Sequence, residues 1–159
     1  MATDFDTDVQ ALYDRVAAAK NQPACSISGS VVRPGANATT VTCTYDTELY
    51  DNDAMVNLGV SNTQVNFTAT GIYIASARVS FSSNGNSLGR QVSLVTTGIL
   101  GTVARKTVQG ETGVGIAINL TALFHATIGD TMTVTLRQNS GLSLNVTTRR
   151  LHVAKVSAL

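Results

Sequence analysis

The sequence predicts an all-β jelly-roll sandwich preceded by a short N-terminal coiled-coil helix, and three observations predict it. Near the start, Phe5, Val9, Leu12, Val16 and Ala19 step by four, three, four and three residues, the spacing of a coiled-coil seam. From Val41 onward the apolar period becomes two, as in Val41, Cys43 and Tyr45 and again in Val114, Ile116, Ile118 and Leu120. That is the alternation of a half-buried strand. Composition agrees, because 22 Thr and 18 Val among 159 residues are β-branched side chains that pack well on pleated surfaces.

The first element is a helix within residues 1–22. Thr3 or Asp4 caps it, and Asp6 and Asp8 complement the positive end of its dipole. At about four turns it is too short to be stable alone in water, so its seam calls for partners, most simply copies of itself. The alternation Asp4, Asp6, Asp8 resembles the opening of a calcium loop but lacks the glycine and the closing glutamate that such a loop needs. Pro23 ends the helix, since the residue before a proline is pushed out of the α region. Residues 23–38, with Pro23, Gly29, Pro34 and Gly35, read as an irregular linker.

Residues 39–159 form the head. Strands are expected over 41–45, 64–69, 72–81, 91–97, 113–124, 131–138 and 142–156. In 72–81, Tyr73, Ala75, Ala77, Val79 and Phe81 share the buried face. Asn84-Gly85 then favours the positive φ angles of a tight hairpin turn. In the last strand the apolar phase moves from even (Leu142, Leu144, Val146) to odd (Leu151, Val153), which a β-bulge near Thr147 to Arg150 explains. About eight short strands with turn signals between them make a two-sheet sandwich. On these boundaries a fragment of residues 38–159 should remain all-β by circular dichroism.

Charge excludes several functions. Charged residues are 13% of the chain and the net charge is +1, against about 25% charged in ordinary soluble domains. No basic footprint for nucleic acid is present, and no apolar run approaches the ~20 residues of a membrane span. The acidic start, MATDFDTDVQ, has no basic or apolar leader region, so synthesis in a cytoplasm is expected. Cys25 and Cys43 leave two alternatives open: a disulfide that forms on later exposure outside a cell, or two buried free thiols. Neither they nor His125 and His152 show metal-ligand spacing. Asp51, Asn52 and Asp53 read as a solvated turn more readily than as a cation site.

Catalysis lacks its parts in the sequence. Six of the ten carboxylates (Asp4, Asp6, Asp8, Asp14, Asp46, Glu48) fall in or near the neck and first strand, and no nucleophile–base pair or phosphate loop is legible. No enzyme activity and no cofactor or metal is expected. Exposed aromatics at loop tips would favour glycan or receptor binding, and Tyr13, Tyr45 and Tyr50 are the candidates.

Residues 40–156 carry a resemblance. The stretch NTQVNFTATGIYIASARVSF, with Phe67, Gly71 and Tyr73, resembles a strand pair of the trimeric heads of the complement and tumour necrosis factor type. So do the strand opened by Arg90, the apolar strand through Ile116 to Leu120, IGDTMTVTLRQNSG with Gly129 and Asp130 at its turn, and the final LHVAKV. Gly71 and Asp130 have turn-forming roles, while Tyr73 presents its ring to the core and needs a partner for its hydroxyl.

The resemblance implies a homotrimer whose heads pack around a three-fold axis behind a trimerising stalk. With the heptad helix and the acidic start, the chain also resembles small bacteriophage virion structural proteins of the minor tail type. The expectation is then a non-enzymatic protein on the virion surface, tail-associated and involved in host attachment through a cell-surface glycan or protein. The alternative is a capsid decoration protein that docks through its N-terminal segment. Its other partners would be virion proteins of tail or capsid, with no nucleic acid and no membrane insertion.

Overall fold

The computed structural model describes residues 21–31, 33–83, 89–98 and 101–157. The expected neck, with Phe5, Val9, Leu12, Val16 and Ala19, lies outside the described residues. The described residues form strands β1 (Ala24–Gly29), β2 (Arg33–Gly35), β3 (Val41–Thr42), β4 (Thr47–Asp51), β5 (Gln64–Asn66), β6 (Gly71–Phe81), β7 (Gly89–Thr96), β8 (Thr102–Gln109), β9 (Ile116–Ala126), β10 (Thr131–Gln138) and β11 (Leu144–Ser157). Among them no helix is long and apolar enough to cross a membrane.

Two antiparallel sheets face each other. The first runs β4-β1-β11-β6-β9 with β2 also on β11, and the second runs β3-β10-β7-β8 with β5 also on β10. The expected sandwich is therefore present. Alternation sets its core: Tyr73, Ala75, Ala77, Val79 and Phe81 of β6 are buried as expected, and they meet Val92 and Leu94 of β7 and Met132, Val134 and Leu136 of β10. Removing each such side chain from water stabilises the fold by roughly 1.5–3 kcal/mol for the larger ones.

The segment expected to be a linker is instead part of the sandwich. β1 lies inside the first sheet, paired with β11 from Ala24↔Ala154 to Gly29↔Arg149 on one side and with β4 on the other. Its Cys25 and Ile27 are fully buried. The cause is the short alternation in CSISG, which the flanking Pro23, Gly29, Pro34 and Gly35 obscure. The head thus begins near Ala24 rather than residue 39, and a fragment of residues 38–159 would lose an internal strand.

Two further strands escape a pattern search because they are edges. β4 and β8 bury little of themselves, and β8 carries Arg105 and Lys106, charges that protect an open edge from pairing with another chain. The expected hairpin at Asn84-Gly85 is also corrected. β6 and β7 belong to different sheets, so the connection crosses the sandwich; residues 84–88 themselves lie outside the described ones. The bulge is where the phase shift puts it: Val146 opposes Phe81 while Thr148 opposes Ser80, which leaves Thr147 as the extra residue. The bulge turns Arg149 into the core and leaves Arg150 outside.

Candidate interaction surface

The residues that carry the family resemblance converge on one corner. Phe67 packs edge-on to Tyr73 at 4.7 Å between ring centroids and to Phe124 at 5.7 Å. The Tyr73 hydroxyl donates to the Ala69 carbonyl at 2.7 Å, so the partner that its burial demands is local. Gly129, at φ 89°, and Asp130 make the facing turn. The Phe67 N–H donates to the Asp130 carbonyl and the Gly129 N–H to the Phe67 carbonyl, each at 2.9 Å. The Asp130 carboxylate accepts the Thr127 N–H at 2.9 Å. Gly71 opens β6 against the chain end, where a Cβ would stand 2.5 Å from the Ser157 carbonyl oxygen. These five residues close the fold, and they offer no reactive group.

A second cluster surrounds Arg149, which is 1% exposed. Its Nε donates to the Thr44 carbonyl at 2.8 Å, and its two Nη atoms donate to the Val31 carbonyl at 2.9 Å and the Val146 carbonyl at 3.3 Å. Asp46 is 3.9 Å away and partly solvated. Beside the guanidinium a cleft of about 220 Å³ opens between the sheets, lined by Val41, Cys43, Leu136 and Val146 among others. Tyr45, expected at an exposed tip, is 2% exposed. Tyr50 is exposed on β4, and Tyr13 lies outside the described residues.

Cys25 and Cys43 are both free and buried. Burial pushes each thiol up to about 12, so neither carries thiolate near neutral pH. Both are expected to resist a thiol-specific reagent in the native protein and to react fully once guanidinium unfolds it. Rapid native labelling would contradict this burial.

The Asp51-Asn52-Asp53 turn spends its side chains internally. Asp51 accepts the Met55 and Val56 N–H groups, Asn52 ties the chain at Ala24 and Gln22, and Asp53 accepts the Thr68 hydroxyl. Among the described residues no group of three or more His, Cys, Asp or Glu is arranged to hold a metal. One polar pair was not legible in the sequence: the Ser26 hydroxyl and His152 Nδ1 stand 2.8 Å apart, because β1 and β11 place them opposite each other. Ser26 is fully buried, and no carboxylate among the described residues bonds the imidazole, so the pair lacks the exposed nucleophile and third group of a hydrolytic triad.

The outward face of the first sheet is the most distinctive surface. Strand register assembles three rows across it: Ala24, Ala154, Ile74 and Leu123; then Ser26, His152, Ser76 and Thr121; then Ser28, Arg150, Arg78 and Asn119. None of these positions carries a carboxylate. Ile74 and Leu123 sit side by side, 40% and 68% exposed, at one end of the face. The arginines lie at the other.

No known family pattern matches the chain and no curated protein matches it. Solved structures do. The chain is similar to the globular domain of zebrafish complement 1qA protein, with 13% identity, a TM-score of 0.66 and coverage of 86% of this chain and 99% of that one. It is similar to Eiger TNF from S. frugiperda, with 12% identity, a TM-score of 0.64 and coverage of 87% and 95%. Murine APRIL gives 16% identity, a TM-score of 0.62 and coverage of 85% and 99%. The fold is thus the complement and tumour necrosis factor jelly roll that the residues around Phe67, Gly71 and Tyr73 resemble.

Proposed function

We propose that the chain is a non-enzymatic bacteriophage virion structural protein, a homotrimer displayed on the particle surface, tail-associated and involved in host attachment. The observation that carries self-association is the outward face of the first sheet, where Ala24, Ala154, Ile74 and Leu123 form a small and apolar row with no carboxylate among the neighbouring rows. Exposed apolar patches of this kind mark interaction sites. The number three comes from the resemblance to complement and tumour necrosis factor type heads, and the virion role from the sequence resemblance of the neck and head to minor tail proteins. In such a trimer a modest affinity per head for a host-surface glycan or protein is multiplied by copies held together.

Two measurements test the proposal. Sedimentation equilibrium of the full chain should return a mass of three chains, and a monomer at micromolar concentration would end the display reading. Gold-labelled antibody on intact virions of the source phage should decorate the tail. Label on the capsid would replace host attachment with decoration, and unlabelled particles would remove the virion assignment altogether.

A further inference from the structure

The cationic end of the first sheet has a feature that self-association alone does not explain. Arg78 of β6 and Arg150 of β11 are directly opposite in register and both point outward. Like charges placed opposite on adjacent strands destabilise a sheet. Among the described residues neither arginine has a carboxylate within ion-pairing distance. Their row holds Ser28 and Asn119, and the adjoining rows hold Ser26, His152, Ser76 and Thr121 on one side and Thr148, Ser80 and Ala117 on the other. The repulsion is therefore unrelieved by this sheet face.

The same two arginines, with Ser80 and Thr148, line a concavity of about 250 Å³. The bulge at Thr147 shapes it: without the extra residue Arg150 would fall in the inward phase and Arg149 in the outward one. Bulges re-aim side chains in this way beside functional sites. We infer that Arg78 and Arg150, with the Ser80 and Thr148 hydroxyls, form a binding site for a tetrahedral oxyanion of the phosphate class. Two guanidinium forks and two hydroxyls supply more donors than the two oxygens of a carboxylate can accept, whereas a phosphate group presents three or four. The concavity also has room for part of whatever bears the phosphate. Arg78 lies four residues along β6 from Ile74, about 13 Å at 3.3 Å per residue, so the site is separate from the apolar row and complete within one chain.

The test is calorimetric titration of the full chain with inorganic phosphate at low ionic strength, and in parallel with dimethyl phosphate. Saturable binding of one phosphate per chain is expected. Arg78→Gln and Arg150→Gln should each weaken it about tenfold or more, and Arg150→Lys should also weaken it because the charge remains but the fork is lost. Lys106→Gln, which removes one charge from the exposed β8, should leave it unchanged. The Arg78→Gln/Arg150→Gln double variant should melt no lower than the wild type, which separates lost binding from lost folding. Equal binding of the diester identifies a phosphate embedded in a polymer as an acceptable source, and binding of inorganic phosphate alone identifies the free anion; either supports the site. Undiminished binding by the double variant overturns it, as does equal weakening by Lys106→Gln. So does failure of the wild type to bind either probe.

Discussion

Arg149→Ala is expected to lower the stability of the head by about 3–5 kcal/mol, because several backbone carbonyls lose a charged donor and each buried group left unsatisfied costs about 1–3 kcal/mol. The guanidinium holds three backbone carbonyls from three parts of the chain: Val31 after β1, Thr44 after β3, and Val146 in β11 itself. Alanine leaves those acceptors without their donor and enlarges the adjoining cleft, and hydrogen bonds to charged donors contribute more than neutral ones. The melting temperature should fall by about 10 °C or more. Arg149→Lys keeps the charge without the fork and should recover only part of the loss. Arg149→Met restores volume but no donor, so it should fall between alanine and wild type. Thermal and urea unfolding of the three variants is the measurement, and a methionine variant as stable as wild type would sink the claim that the carbonyl contacts matter.

Asp46 is the lesser partner in that network. Its distance of 3.9 Å from Arg149 and its partial exposure make the ion pair weak. Its carboxyl is nonetheless held below the usual carboxylate range, first by the Val31 N–H and also by the Thr47 hydroxyl, the Ser30 N–H and Arg149. A depressed acid stabilises the fold above its unfolded value, about 3.9, and the contribution is lost as the pH falls through the lower folded value. Asp46→Asn should therefore lower stability at neutral pH and converge on the wild type as the pH falls through that acid end, where the wild-type slope disappears, while Arg149→Ala lowers stability at every pH.

What the sequence makes legible follows from where periodicity survives. β6, β9 and β10 alternate over eight or more residues, and β11 alternates on either side of its bulge, so their existence and their buried faces can be read directly. β1 is short and flanked by proline and glycine, and β4 and β8 are exposed edges, so local pattern is weak in all three. The turn signal at Asn84-Gly85 describes a bend, not which sheet the next strand joins. Arg149 was recoverable, because the phase shift that locates the bulge also makes position 149 inward. The pairings of Arg78 with Arg150, Ile74 with Leu123 and Ser26 with His152 were not. Each depends on register between strands that are distant in sequence.

Ile74→Asp combined with Leu123→Asp is expected to convert the proposed homotrimer to single chains of 16.6 kDa without unfolding them. Both side chains already face outward, so aspartate at these positions is solvated in the isolated head, and the like charges placed opposite each other on β6 and β9 should lower its stability by no more than about 1 kcal/mol. In an assembly the same carboxylates would be removed from water beside Ala24 and Ala154, with no partner cation in their row. Burying an unpaired charge costs at least several kcal/mol, and about 4 kcal/mol is a thousandfold in dissociation constant. Three such contacts per trimer multiply the effect. Val60→Asp, at an exposed apolar residue outside the sheet face, is the control and should leave the mass at three chains. The neck variant Leu12→Asp with Val16→Asp separates the two sources of assembly. If the sheet-face variant stays trimeric and the neck variant does not, the heads are carried by the coiled coil and merely hang beside one another. If the sheet-face variant dissociates with the neck intact, head packing provides most of the association energy, as expected if residues 1–22 form only the short helix that their spacing predicts.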